Sequence, residues 1–308
     1  MSRAVGEFAL LEGLPEVVIV LAALVTQLGD VWFVFLLLGL YYWFGDALPT
    51  PVVFDRRQAA FGVALGVGAN AVTVTLKEWL TYPRPPSADE AVSTELVPAL
   101  VEPLYAAAAT GSGFGFPSGH AVGATVVYGG LALLVGGRRA YAAAAALVAV
   151  ISLTRVVLGV HYLVDVVAGV AVGAALLAAA FGLGGRGSNP GRVFGLALVA
   201  ALLGPVLGGY GFETMASLGG ALGARLGWGI VGAAVVHEET TRTGGVAATA
   251  VGAAFGAPFG AVYLVEPAPY IAFLAVAVTL GGVLAAPLAG EAVARRVRDR
   301  RTPTPEAG

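Results

Sequence analysis

Cysteine is absent from the 308 residues, histidine occurs three times, and charged residues make up only 12% of the chain. The missing thiols exclude disulfides, thiolate metal sites and a cysteine nucleophile. Three imidazoles are too few for a histidine-rich metal site. Such scarce charge beside 58% hydrophobic residues is far from a soluble globular domain and falls in the polytopic membrane class. A cleavable leader is not read either, because hydrophobicity continues past residue 40 without a small-residue cleavage site before polar sequence, and the first segment is expected to stay as an anchor. Lysine is the rarest charge of all. Of 17 basic residues sixteen are arginine, and the lone Lys77 marks a position that needs a compact ammonium rather than a planar fork. The formal net charge of −2 carries little information, and no nucleic-acid partner is expected.

What is abundant is apolar sequence in runs near the ~20 residues that cross a bilayer. Bounded by charge, glycine and proline, the runs predict spans near 8–28, 31–45, 58–80, 117–136, 140–158 and 162–183, then 193–210, 214–236, 246–265 and 270–289. Glu12, Pro15 and Glu16 interrupt the first of these and only Gly29-Asp30 separates it from the second, so an interfacial helix followed by one span is the competing reading for residues 8 to 45. The fold class is all-α, a polytopic membrane helical bundle of a six-span core plus about four C-terminal transmembrane helices. Domains are read as a core over 1–185, a basic connector over 186–192, additional spans over 193–290 and a basic cytoplasmic tail over 291–308.

Arginine placement orients the bundle, since Lys and Arg in short loops favour the cytoplasm. Arg56-Arg57, Arg138-Arg139, Arg186, Arg192 and the tail arginines fall on one side of the ten-span arrangement, which is expected to be cytoplasmic. Lys77, Arg84, His120, Arg155 and His161 then meet on the external face. Arg225 is read inside a span and His237 in a cytoplasmic loop, and neither is assigned to the site.

A phosphate ester demands several positive charges and donors aimed at its equatorial oxygens. Lys77, Arg84 and Arg155 meet the first demand. Pro117 at a helix start, followed by Ser118, Gly119 and His120, offers a hydroxyl and free backbone N–H groups at a helix N-terminus, with glycine permitting close approach. His161 and Asp165 are four residues apart and lie on one face of a helix, so the carboxylate can hold one ring nitrogen and leave the other free to attack phosphorus. His120 would then protonate the leaving oxygen. Each fragment by itself has a blander reading, such as Lys77 and Arg84 snorkelling at a helix end or His161 and Asp165 satisfying each other within a helix.

Lys77-x6-Arg84-Pro85, Pro117-Ser118-Gly119-His120 and Arg155-x5-His161-x3-Asp165 together resemble the three-part signature of the type 2 phosphatidic acid phosphatase family, over roughly residues 15 to 185. Thr154 stands where that family usually has serine. The resemblance implies His161 as nucleophile forming a phosphohistidine, His120 as general acid and Asp165 as the partner orienting His161. It also implies phosphate binding by Lys77, Arg84, Ser118, Gly119 and Arg155, with no metal and no cofactor. The implied protein is a multi-pass cell-membrane phosphatase with an extracytoplasmic site, acting on a lipid phosphate or polyprenyl diphosphate. A phosphotransferase using the same intermediate and a lipid transporter or flippase are the alternatives. The bilayer is its expected surrounding, and homo-oligomerisation is left open.

Overall fold

The computed structural model describes residues 3–11 and 13–301; Glu12 and the end of the basic tail lie outside the described residues. Twelve α-helices and no strand occur among them. In chain order they are α1 (Glu7–Leu11), α2 (Glu16–Thr26), α3 (Val31–Phe44), α4 (Arg56–Leu80), α5 (Glu102–Ala109), α6 (Gly119–Val135), α7 (Arg138–Val157), α8 (Leu163–Gly184), α9 (Pro190–Gly208), α10 (Phe212–His237), α11 (Arg242–Val265) and α12 (Pro269–Arg301). Seven of these, α4 and α7 to α12, are long and apolar enough to cross a bilayer, and α6 is a shorter apolar helix of 17 residues. The chain is a multi-pass helical membrane protein.

The first two expected spans are revised. Neither α2, with 11 residues, nor α3, with 14, has the length of a crossing, and the pair is bent by 43°. Pro15 opens α2, while Gly29 and the N-capping carboxylate of Asp30, which accepts from Trp32 N–H at 3.3 Å, end one helix and start the other. Ala22 and Ala23 of α2 pack against Tyr105 and Ala108 of α5 and against Ala88 and Leu158, which lie in the segments after α4 and α7. Taken together, the two helices are long and apolar enough for one crossing broken at Gly29-Asp30, rather than for two.

Helix α4 is the central element, with a run from Ala59 to Ala69 buried almost throughout. Asp55 and Gln58 start it with a reciprocal capping box. Residues from both sides of the 186–192 connector share its buried cluster, among them Phe61, Leu177, Phe194 and Leu284. At the end away from Lys77, Arg56 is buried against Glu291 at 3.2 Å, and Tyr42 Oη donates to the Leu284 carbonyl at 2.7 Å. These contacts tie α12 to α3 and α4. Arg56, counted from sequence among the short-loop arginines, is thus half of an interior ion pair whose separation would strand a charge.

Glycine sets the approach that matters for the site. A Cβ at Gly169 would stand 2.8 Å from the Ser118 carbonyl oxygen, and one at Gly173 would stand 2.8 Å from Thr125 Cβ. The two are one turn apart on α8, so small residues let α6 and α8 close up as in other membrane helix pairs. Arg225 lies within α10 and points along it toward Gly229. His237 is the last residue of α10 rather than a loop residue.

Candidate active site

Lys77 occupies the last turn of α4, which closes with Thr81 in the left-handed region donating its N–H to the Lys77 carbonyl at 2.9 Å. Pro83, Pro85 and Pro86 cannot continue the helix, so Arg84 leaves on an extended segment. Gly115 N–H fastens that segment to the loop before α6 by donating to the Tyr82 carbonyl at 2.8 Å. Helix α6 begins at Gly119 with Ser118 as N-cap, so Pro117 precedes the helix instead of opening it. Arg155 sits in the last turn of α7, and its carbonyl accepts the N–H groups of Val160 and His161, both at 3.2 Å.

His161 is not on a helix. Helix α8 starts at Leu163, and the expectation that His161 and Asp165 share a helical face gives way to a turn. Asp165 Oδ2 accepts from Tyr162 N–H at 3.1 Å and lies 3.4 Å from His161 Nδ1. The carboxylate therefore still faces one ring nitrogen. A backbone bond from Ser118 N–H to the Asp165 carbonyl, 3.0 Å, joins the start of α6 to the first turn of α8. Two motifs distant in sequence are thereby held at one height.

Lys77, Gly119, His120 and His161 line one cavity of about 290 Å³. Arg84 closes on it, with Nη1 donating to His161 Nε2 at 2.9 Å and to the Val160 carbonyl at 3.0 Å, and Nε donating to the Ser112 carbonyl at 2.9 Å. Ser118, Arg155 and Asp165 are buried beside it. Arg155 Nη1 donates to Thr26 Oγ1 at 3.0 Å and to the Ala108 carbonyl at 3.2 Å. Its Nε, the Ser118 hydroxyl and His120 Nε2 are buried with no hydrogen-bond partner among the described residues. Buried donors held without partners are costly, and an oxyanion is the ligand chemistry that suits them. No group of three or more His, Cys, Asp or Glu residues suited to a metal ion occurs among the described residues.

Three further residues reach the site without having been singled out in sequence. Arg3 places Nη1 2.7 Å from Asp165 Oδ1 and donates from Nη2 to the Pro83 carbonyl at 2.6 Å. Its guanidinium is flanked by the rings of Tyr82, Phe116 and Tyr162, 5.0 to 5.6 Å to their centroids. Asp30 Oδ2 lies 3.9 Å from His120 Nε2. Glu213, in the first turn of α10, lines the cavity opposite the core motifs. An Asp before an apolar run is a readable helix start, but nothing local in the sequence ties Arg3 or Glu213 to the histidines.

Burial, followed by the charges of Arg84, Lys77, Arg155 and His120, holds the His161 imidazole well below its ordinary range. Burial also lowers Arg84, against the opposing pull of Asp165. The site is thus a cationic recess in which the His161 imidazole faces the Asp165 carboxylate at Nδ1 and the Arg84 guanidinium at Nε2.

A helical membrane bundle carrying such a recess defines a class, and comparison with known proteins identifies the family. The PAP2 superfamily model matches residues 58–186. Two curated relatives, both named decaprenylphosphoryl-5-phosphoribose phosphatase and from two strains of Mycobacterium tuberculosis, are 33% identical over 146 residues, which is 46% of this chain and 72% of each relative. The chain belongs to the PAP2 superfamily. No solved structure matches it.

Proposed function

We propose that the protein is an integral-membrane phosphatase that hydrolyses a lipid phosphate or isoprenoid diphosphate through a phosphohistidine at His161. The carrying observation is the pairing of His161 Nδ1 with Asp165 while Nε2 faces a cavity shared with His120 and Lys77. The mycobacterial relatives' name, a phosphatase of a decaprenyl-linked sugar phosphate, supports a polyprenyl substrate. Residues 1–185 form the phosphatase core in this reading, and the helices beyond 193 are accessory.

Incoming phosphate draws the Arg84 guanidinium off Nε2, exchanging a hydrogen bond to nitrogen for one to a charged oxygen, which is the stronger kind. Lys77, Arg155, the Ser118 hydroxyl and the Gly119 N–H take the remaining phosphoryl oxygens. The Nε2 lone pair then bonds to phosphorus as the bond to the leaving oxygen breaks, and protonated His120 gives its proton to that oxygen. In the second half His120 removes a proton from water. The resulting oxygen bonds to phosphorus, the P–N bond breaks, and His161 returns as neutral imidazole. The end of α4 that carries Arg56 and Arg57 faces away from the site, as do the α7 start and the α8–α9 connector; by the positive-inside bias this supports an extracytoplasmic site.

Purified protein offered polyprenyl phosphate, polyprenyl diphosphate and phosphatidate releases inorganic phosphate from at least one. A chelator leaves the rate unchanged, and orthovanadate, a trigonal-bipyramidal phosphate mimic, inhibits. Silence on the whole panel, or a strict divalent-cation requirement, overturns the proposal.

Arg3 is a positioning residue in this scheme, because it reaches the chemistry through Asp165. Its charge draws on the carboxylate that would otherwise stabilise the imidazolium of His161. Arg3→Gln is therefore expected to raise the His161 pKa, moving the acid limb of the kcat/KM profile to higher pH, with Arg3→Lys restoring part of the shift. A loss of rate at all pH values with the limb in place would reduce Arg3 to a structural tie.

A further inference from the structure

The catalytic cavity does not end at its polar walls. A second cavity of about 320 Å³ shares Val31, Phe35 and Asn70 with it as lining residues, and its volume falls in the ~300–1,000 Å³ range of ligand sites. Helices α3, α4, α10, α11 and α12 enclose it. Charge stops at the shared wall. The first cavity is lined by Lys77, Glu78, Glu213 and both histidines, whereas no charged side chain lines the second. Along α3 the lining runs from Val31 to Trp43, which at 1.5 Å per residue is about 18 Å of depth leading away from the phosphate recess. A larger groove between α6, α7 and α8 shares no lining residue with the catalytic cavity.

We propose that this apolar chamber receives the hydrocarbon tail of the substrate, and that its occupant is the single chain of an isoprenoid phosphate. The inference rests on the phosphatase reading above and gives the C-terminal helices their role, since three of the five enclosing helices lie beyond the connector. Polar recess and charge-free chamber, joined at one wall, match an amphiphile with one head and one tail; a two-tailed lipid would need a second chamber on the same recess. Bilayer lipid is itself apolar, so entry into the chamber gains little hydrophobic free energy over the surrounding hydrocarbon. Its effect is to position the phosphorus and to discriminate tails.

Gly256 lines the chamber, and a Cβ built there meets nothing within 4 Å, so Gly256→Leu projects a side chain into the space. With this variant, the ratio of kcat/KM for a long polyprenyl phosphate to that for isopentenyl phosphate is expected to fall about tenfold or more, the scale of a misfit in an apolar pocket. Independently of turnover, unaltered protein photolabelled with a polyprenyl phosphate carrying a diazirine on its tail is expected to yield adducts on α3, α10, α11 or α12. An unchanged ratio in folded variant, adducts confined to the α6–α8 groove, or faster turnover of phosphatidate than of polyprenyl phosphate would each overturn the proposal. Should the variant not fold, the adducts decide. Should the unaltered protein release no phosphate from any lipid, the phosphatase reading fails, while the labelling still reports on the chamber.

Discussion

His161→Ala is expected to eliminate phosphate release, with kcat falling on the order of 10⁴- to 10⁶-fold, the scale for removal of a covalent nucleophile. The loss is chemical rather than structural. The backbone N–H of residue 161 still donates to the Arg155 carbonyl, and Asp165 keeps Tyr162 N–H and Arg3 as partners. The side chain's bonds to Asp165 and Arg84 contribute about 1 kcal/mol each, a typical net value, and Arg84 keeps the Val160 and Ser112 carbonyls as partners, so the variant should stay folded. Rapid quenching of the parent with labelled substrate should trap a phosphoryl group that is stable to alkali and lost in acid, as phosphoramidates are. Full activity in a purified His161→Ala protein would end the nucleophile assignment. In the proposed mechanism the same imidazole sets the acid limb. With its folded pKa held well below the ordinary ~6.5 of imidazole, the reactive neutral form persists into mild acid. Activity therefore falls only as pH drops through that lowered value, so the limb lies below about 6.5.

The second large effect belongs to His120. In the proposed mechanism its replacement by alanine removes the proton donor for the leaving oxygen, and a loss of about 10²- to 10⁴-fold is expected on an alkyl phosphate. The size should depend on the leaving group. A nitrophenolate departs without needing a proton, so with para-nitrophenyl phosphate the deficit in forming the intermediate should shrink by at least about tenfold. Burst kinetics separate that step from hydrolysis of the intermediate. An equal deficit with both leaving groups would make His120 a phosphate-binding residue instead of an acid. Asp30 Oδ2 lies 3.9 Å from this ring's Nε2.

Much of the site was legible because its parts are local signals. A proline run after Lys77 ends a helix wherever it occurs, the Pro117-Ser118-Gly119 stretch before an apolar run marks a helix start to within two residues, and a carboxylate four residues after His161 is within reach whether the backbone is helical or turned. Those rules placed the motifs at helix ends without any fold. They failed where continuity was the question. The apolar run from residue 8 to 28 looks like one span, yet Pro15 and the break at Gly29-Asp30 leave α2 too short and bent from α3. Arg56 was counted as a loop arginine, and its buried partner Glu291 lies at the far end of the chain.

Composition and spacing alone determined that this is an all-α membrane protein and that its ionisable residues occur in an order suited to phosphate chemistry, since hydrophobic run length and helix punctuation act over a few residues at a time. Only the tertiary structure decided that Arg84 rests on His161 Nε2, that Arg3 shares Asp165, and that an apolar chamber lined by α3, α4 and α10 to α12 abuts the recess holding both imidazoles. Each of those pairings joins segments remote in sequence, and the close helix packing that Gly169 and Gly173 permit leaves no local trace of which partner it will bring near.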